Sequence, residues 1–218
     1  MGEDGTALTP PYFQYLIRLL RPFPNFDYFF IKPVRRKAVE LLHLRPGDRV
    51  LDVGCGPGGS FPYLRDAVGP SGEVVGIEIS PEVSVNARAR IAKNKWQNIQ
   101  VVESSAQTVT LNGTFDGLLM FAEQDVLACE DALENIFPYL REDARIVAFG
   151  AKTSSHHIGR MLNPVLQTLY KLNFAGAPRL DRAPWRLLAK RVEKLEIEEY
   201  FFGLMFLASG LRIPERDR

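Results

Sequence analysis

The sequence predicts an α/β fold in which helices cover both faces of a mostly parallel sheet. Short apolar runs alternate with segments of helical periodicity through the middle of the chain, as in successive β-α-β units. The first apolar run also leads directly into a glycine-rich turn, which is where such sheets bind ligands. With 218 residues, 46% of them hydrophobic and 24% charged, the chain fits one domain that carries insertions.

Seven strands are expected, in the order in which the apolar runs occur. They are Arg49–Val53, Glu73–Ile77, Ile99–Glu103, Phe115–Phe121, Arg145–Gly150, Leu195–Phe202 and Leu204–Ser209. The last two meet near Gly203, and so short a connection makes them antiparallel. The predicted fold is therefore a doubly wound sheet of about seven strands, mostly parallel with an antiparallel last strand.

Helix signals lie between these strands. Arg35–Leu44 is expected to continue as a helix toward the first strand, and a further helix begins near Ser60. Ser80 is a good N-cap and Pro81 suits the first helical position, so a helix also follows the second strand. A helical stripe then precedes the fifth strand, which makes Cys129 a small core residue. Its members are Cys129, Leu133, Ile136 and Leu140.

Charge is distributed unevenly along a chain whose net charge is only +1. Residues 1–37 carry 6 bases and 3 acids, 38–151 carry 9 and 16, 152–191 carry 8 and 1, and 192–218 carry 4 and 6. This division predicts a leader or cap, a core, a basic lid, and a closing strand pair with a tail. The near-zero total makes nucleic acid an unfavourable partner, whereas the basic lid suits an anionic acceptor or membrane surface.

Several classes of protein are disfavoured by what the sequence lacks. Two cysteines, Cys55 and Cys129, cannot form a disulfide framework, and the adjacent His156 and His157 have no evident third metal ligand. The N-terminus has no basic-then-apolar signal, and no run of 18 apolar residues occurs. We therefore expect a cytoplasmic protein without a bound metal.

The most informative stretch is the strand and turn Val50–Gly59. Its glycines let a ligand approach the backbone, and the amides of the following helix face that ligand. Gly54, Gly56 and Gly59 satisfy the dinucleotide pattern G-x-G-x-x-G, which leaves a nicotinamide cofactor open. Asp52 weighs against it, because a carboxylate two residues before the turn repels a pyrophosphate and attracts a cation.

Two motifs resemble those of a known family. Val50–Gly59 resembles the first motif of the class I methyltransferases that depend on S-adenosyl-L-methionine (SAM), and Val75–Ser80 resembles their acidic second motif. The resemblance covers roughly residues 38–150 and implies a Rossmann-like fold with SAM as the cofactor. Arg141–Asp143 departs from the family, which usually has a Pro-Gly-Gly turn there.

The resemblance also assigns cofactor contacts to individual positions. It implies that Glu78 and Ile79 hold the ribose and the adenine. Ser105 and Ala106 fall where the family contacts the adenine amino group, although an acidic residue is usual at position 105. The methionine part is assigned to one carboxylate and the turn backbone. These residues are Asp52, Gly54, Cys55, Gly56 and Gly58.

The loops after the fourth and fifth strands supply candidate catalytic residues, because ligands lie at the carboxyl ends of parallel strands. Glu123 and Asp125 could accept a proton or pair with a cationic amine, and equally could open the next helix. His156 is a third candidate base, against a solvent-exposed role. The fourth-strand loop lacks the Asn/Asp-Pro-Pro-aromatic and Pro-Cys pairs of nucleic-acid base methyltransferases.

The basic segment falls where related methyltransferases often build a substrate lid, and both it and the leader could equally be helices that pack on the core. Apolar residues from Leu162 to Leu172 predict an amphipathic lid helix with Pro164 near its first turn. The helical leader interleaves aromatic and basic residues, so it can cap the pocket or lie at a membrane interface. With Pro184–Leu188 and Phe202–Leu204, these segments are loosely similar to quinone-type and phospholipid-type amine methyltransferases. That similarity implies a lipid or small apolar acceptor.

The sequence as a whole predicts a SAM-dependent methyltransferase acting at nitrogen or oxygen of a small, lipid-like or anionic acceptor. Two alternatives stay open because fold and nucleoside binding do not fix chemistry. One is a SAM-binding protein without methyl transfer, and the other is an NAD(P)-dependent oxidoreductase.

Overall fold

The fold is that of a computed structural model, which describes residues 31–173 and 180–214. Residues 1–30 of the predicted leader, 174–179 of the lid and 215–218 of the tail lie outside the described residues. The elements, in chain order, are α1 (Ile31–Leu41), β1 (Arg49–Val53), α2 (Phe61–Val68), β2 (Glu73–Glu78), α3 (Pro81–Asn94), β3 (Ile99–Glu103), β4 (Phe115–Phe121), α4 (Gln124–Leu127), α5 (Glu130–Ile136), β5 (Leu140–Ala151), α6 (His157–Asn173), α7 (Arg186–Ala189), β6 (Val192–Tyr200) and β7 (Met205–Arg212).

One seven-stranded sheet organises the described residues, with the order β3-β2-β1-β4-β5-β7-β6. Strands β1 to β5 pair in parallel, whereas β7 runs antiparallel to both β5 and β6. The predicted fold class is therefore confirmed. The strand order reverses between β1 and β4, which opens a crevice at the carboxyl ends of the central strands.

The ends of the early strands agree closely with prediction, but β5 does not. It begins at Leu140, which pairs with Phe115 rather than closing a helix. A register irregularity between Phe115 and Gly117 accommodates the extra residues. Arg141–Asp143 consequently lies within the strand, exposed, and the expectation of a surface turn there is wrong.

The helices show one confirmed start and two corrections. The Ser80 side chain accepts a hydrogen bond from the Val83 amide at 3.4 Å, so the predicted cap of α3 is confirmed. Helix α1 is described over Ile31–Leu41, so the helix expected to continue through Arg35–Leu44 ends three residues early. Helix α6 begins at His157, which places Pro164 inside it rather than in its first turn. Pro164 is exposed, where a missing backbone hydrogen bond can be compensated by water.

Apolar layers cover both faces of the sheet. Helix α1 buries Ile31 and Ala38 on one face, together with Phe61 of α2. On the other face Trp185 packs against Phe206 of β7, with ring centroids 4.9 Å apart. These layers fix the central strands and hence the position of the crevice. None of the helices in the described part of the chain has the length and apolar character needed to cross a bilayer.

Candidate cofactor and acceptor site

A cavity of about 330 Å³ lies at the carboxyl ends of β1, β2 and β4. Five of the nine predicted cofactor residues line it, together with two of the three predicted catalytic candidates. The lining residues are Val53, Gly54, Ile77, Glu78, Ile79, Ser104, Ser105, Ala106, Gln107, Glu123, Asp125, Val126, Cys129 and Ala132. Among the residues that the structure describes, no lysine or arginine contributes to this lining, so none of them would neutralise a pyrophosphate there.

The glycine turn leaves its backbone open at one position and filled at another. Gly54 and Gly56 both have positive φ angles, of 67° and 54°, a conformation that favours glycine. A side chain on Gly56 would meet nothing within 4 Å, so this part of the turn faces open space. A side chain on Gly54 would overlap Glu123, which lies directly over the turn.

Glu78 joins the glycine turn to the start of α3. One carboxylate oxygen accepts a hydrogen bond from the Gly56 amide at 3.0 Å, and the other accepts from the Ser80 amide at 2.8 Å. Each carboxylate oxygen has a further lone pair. Glu78 can therefore hold the turn and still accept hydrogen bonds from a ligand in the cavity.

The carboxylate of Asp52 is buried behind the turn, and only 1% of the residue's surface is exposed. Neither of its carboxylate oxygens has a hydrogen-bond partner among the described residues. Burial raises the pKa of Asp52 to about 7, Arg35 opposes this rise, and the charge of Glu78 adds to it. A buried carboxylate of this kind favours a cationic ligand nearby.

Arg35 of α1 is a site residue that the sequence did not indicate. Its guanidinium is buried beneath the turn, donates a hydrogen bond to the Ser60 hydroxyl at 2.8 Å, and lies 4.0 Å from the Phe121 ring centroid. Arg35 follows Ile31 by four residues and so shares its buried helix face. That spacing was the available signal, but charged residues on such a face are uncommon.

Glu123 and Asp125 form an acidic wall of the cavity. Burial raises the pKa of Glu123 well above its usual range, and the charges of Glu78, Asp125 and Asp52 add to the rise. Burial also raises the pKa of Asp125. Tyr170 of α6 lies near both carboxylates. Burial raises the pKa of its hydroxyl, and the charges of Asp125 and Glu123 raise it further. The raised pKa values mean that both carboxylates hold a proton more tightly than exposed acids do.

Of the remaining predicted residues, Cys55, Gly58 and His156 do not line this cavity, whereas Cys129 does. Cys55 is buried, its amide donates to the Ile77 carbonyl at 3.0 Å, and burial raises the pKa of its thiol. Gly58 closes the turn through its amide, which donates to the Cys55 carbonyl at 3.0 Å. His156 is exposed, 6.2 Å from the Phe202 ring, and borders neither described cavity. Cys129 is only half-buried and lines the cavity while packing against the core.

A second cavity of about 300 Å³ adjoins the first across residues 123–129. Its lining is mainly apolar. The residues are Gln124, Leu127, Ala128, Ala151, Tyr170, Leu180, Asp181, Ala183, Pro184, Arg186 and Leu187. Both linings are largely apolar, but the first contains the carboxylates of Glu78, Glu123 and Asp125, whereas the second, beneath α6, contains Asp181, which pairs with Arg186.

The chain is similar in sequence to known methyltransferases. A sequence model described as a methyltransferase domain matches residues 44–166. A ubiquinone/menaquinone biosynthesis C-methyltransferase from Ectopseudomonas mendocina is 30% identical over 189 residues, covering 82% of this chain and 71% of that protein. A demethylmenaquinone methyltransferase from Symbiobacterium thermophilum is 30% identical over 119 residues, and the match spans 53% of this chain but only 47% of the relative.

Solved structures agree at the level of the fold. A SAM-dependent methyltransferase from Aquifex aeolicus superposes with a TM-score of 0.62 at 20% identity, covering 87% of this chain and 100% of that one. A SAM-dependent O-methyltransferase from Thermotoga maritima gives 0.63 at 15% identity, over 96% and 74%. At these identities the likeness concerns the path of the chain and not the chemistry.

Proposed function

The chain belongs to the SAM-dependent methyltransferases, and from this membership we propose that it transfers the methyl group of SAM to a small, largely apolar acceptor. The observation that carries the proposal is the cluster of Asp52, Glu78 and Glu123 around an open glycine turn, beside an apolar cavity. SAM supplies a methyl group activated by a sulfonium cation. Such a cation is stabilised by nearby carboxylates, whereas a dinucleotide pyrophosphate is repelled by them.

The family's cofactor positions fit a nucleoside in the larger cavity. Glu78 would accept hydrogen bonds from the ribose hydroxyls while its own amide contacts hold the carboxylate in place. Ile79 is 69% exposed on the cavity rim, where an apolar side chain can cover an adenine face. Ser105 and Ala106 line the cavity at the family's adenine position. Asp52 would supply the buried negative charge behind the methionine part.

The acceptor is proposed to enter the apolar cavity beneath α6, next to Glu123 and Asp125. Bound SAM would supply the methyl group and be left as a neutral thioether, while one of these carboxylates, in its ionised form, would accept the proton that the acceptor loses. Burial raises the pKa of both carboxyl groups, so each holds such a proton more tightly than an exposed carboxylate does. Nitrogen and oxygen are the expected acceptor atoms, and the Ectopseudomonas mendocina relative, a C-methyltransferase, adds carbon as a third.

The test is conversion of methyl-labelled SAM with a panel of hydroquinones, phenols and amphiphilic amines. We expect S-adenosylhomocysteine and a labelled product, whose NMR spectrum identifies the methylated atom. Glu123→Gln should lower kcat by roughly 10²-fold or more if Glu123 takes the proton. Glu82→Gln, at an exposed position in the first turn of α3, is the matched control and should leave kcat unchanged.

Two results would contradict the proposal. Tight SAM binding with no turnover across the panel would favour a SAM-binding protein without transfer. Thermal stabilisation by NAD(P)H but not by SAM would favour the oxidoreductase, because only a ligand that binds the native state raises the melting temperature.

A further inference from the structure

Helix α6 has two apolar faces, and among residues 31–173 and 180–214 only one of them has packing partners. Gly159 and Tyr170 are buried on the inner face. Ile158, Met161, Leu162 and Val165 follow one another at helical spacing along a different side and are 49%, 81%, 41% and 57% exposed. A surface helix ordinarily presents polar residues on its outer side, so this exposed stripe requires a separate explanation.

The turn between β6 and β7 extends the stripe with two aromatic rings. Phe201 and Phe202 are 39% and 57% exposed, and both have positive φ angles, of 50° and 58°. A bulky residue rarely adopts that conformation, so the turn is held by its surroundings. The Ser154 hydroxyl donates to the Phe202 carbonyl at 2.6 Å, and Lys152 donates to the Gly203 carbonyl at 3.3 Å.

The stripe and the turn form one continuous surface, which we call the α6 surface: residues 158, 161, 162, 165, 201 and 202. Gly159, next to Ile158, lies so close to the Phe202 carbonyl that a side chain at position 159 would overlap it. The apolar residues of the helix therefore begin where the aromatic turn ends.

The charges near this surface favour an anionic partner. Helix α6 contains no acidic residue, and Arg160 is exposed beside the stripe with no ion pair to a described residue. The acids at the end of β6 are paired, Glu198 with Lys37 and Glu199 with Lys152. The whole segment 152–191 carries 8 bases and 1 acid. An exposed apolar stripe on a helix that has an exposed arginine beside it and no acidic residue is the pattern of a helix that lies on an anionic bilayer.

We propose that the α6 surface docks on an anionic lipid bilayer, so that the acceptor reaches its cavity from the membrane. The inference rests on the proposed function for the acceptor, since the inner face of α6 contributes Tyr170 to the apolar cavity. The sequence had assigned the membrane contact to the basic lid as a whole, which also contains Arg179, Arg182 and Arg186. Arg179 lies outside the described residues, and Arg186 pairs with Asp181, so the docking surface is assigned to α6 and the turn.

The test is sedimentation of the full chain with vesicles of phosphatidylglycerol and phosphatidylcholine, and with phosphatidylcholine alone. We expect the chain to bind the anionic vesicles, and we expect 500 mM salt to weaken this binding because it screens the charge of Arg160. Binding to the neutral vesicles should be weaker by roughly tenfold. Val165→Asp should lower the vesicle-bound fraction by roughly tenfold. Val85→Asp is the matched control, since Val85 is 58% exposed on α3 and Val165 is 57% exposed. Phe202→Asn is a second variant, because asparagine tolerates the positive φ angle and keeps the turn folded while removing the ring.

Three outcomes would overturn the inference. The parent protein could fail to sediment with anionic vesicles, or Val165→Asp could bind them as well as Val85→Asp does. The parent could also form a dimer in sedimentation velocity that Val165→Asp alone dissociates, which would assign the surface to a second copy of the chain. Calorimetry with SAM separates this inference from the proposed function: a parent that binds vesicles but not SAM would sink the methyltransferase proposal alone.

Discussion

Asp52 is the residue at which pH and cofactor binding are most directly coupled. Its pKa is raised by burial to about 7, whereas the ionised form is the one that attracts a sulfonium. We therefore expect SAM affinity to increase with pH by up to about tenfold per pH unit below 7 and to level off above it. Isothermal titration calorimetry across pH 5.5–8.5 measures this. Asp52→Asn should flatten the profile, whereas Asp66→Asn, at an exposed position on α2, should not.

The same pKa has the opposite effect on the stability of the protein without SAM. Because the folded-state pKa of Asp52 lies above its ordinary value of 3.8, the folded state binds the proton more tightly than the unfolded state. The contribution of Asp52 to the free energy of unfolding is therefore full below about pH 4 and is lost as the pH rises to about 7. A pH at which SAM binds well is one at which the empty site destabilises the fold.

At the scale of single residues, the sequence located the groups whose role depends on the local backbone. Gly54 and Gly56 lie in a turn that requires positive φ angles, and Glu78 ends the neighbouring strand. Strand, turn and carboxylate could therefore be read from spacing alone. Arg35 could not, because its contact with Ser60 joins residues 25 positions apart and depends on how α1 packs.

Among the elements, α3 begins with a side-chain cap at Ser80, directly after Glu78 and Ile79 of the candidate cavity. The Ser80 side chain accepts from the Val83 amide, while the Ser80 amide donates separately to Glu78. Ser80→Ala removes only the first bond, so we expect a loss of about 1 kcal/mol in the free energy of unfolding. SAM affinity should change less than twofold, roughly, since the backbone contact to Glu78 survives. Urea denaturation and calorimetry, with the exposed Ser71→Ala as control, measure the two effects.

Element boundaries were predictable where local chemistry decides them and not where pairing does. Ser80 and Pro81 mark the start of α3 by their own preferences. Leu140 continues a helical stripe in the sequence, yet in the structure it pairs with Phe115 and opens β5. The sheet partner, invisible in the local pattern, decides between helix and strand at that position.

At the scale of the whole molecule, Arg35 connects helix α1 to the candidate ligand site. Its charge lowers the pKa of Asp52, so removing it should raise that pKa further. We expect Arg35→Gln to weaken SAM binding at pH 7 by roughly tenfold for each unit by which the pKa rises. The defect should shrink at pH 9, where Asp52 ionises in both proteins. Arg36→Gln, at the exposed neighbouring position, is the control. An equal defect at both pH values would assign Arg35 a purely structural role.

The position of β7 determines when the sheet can be completed during synthesis. Once β5 has been synthesised, each of β1 to β5 has a partner strand available. In the described sheet β6 pairs only with β7, and β7 lies between β6 and β5. Until residues 205–212 have left the ribosome, β5 keeps an open edge and the preceding strand has nowhere to attach. An open edge is where nascent chains associate wrongly with one another. A premature stop before residue 205 would therefore remove more than β7, because β6 would lose its partner in the described sheet and β5 would keep an open edge.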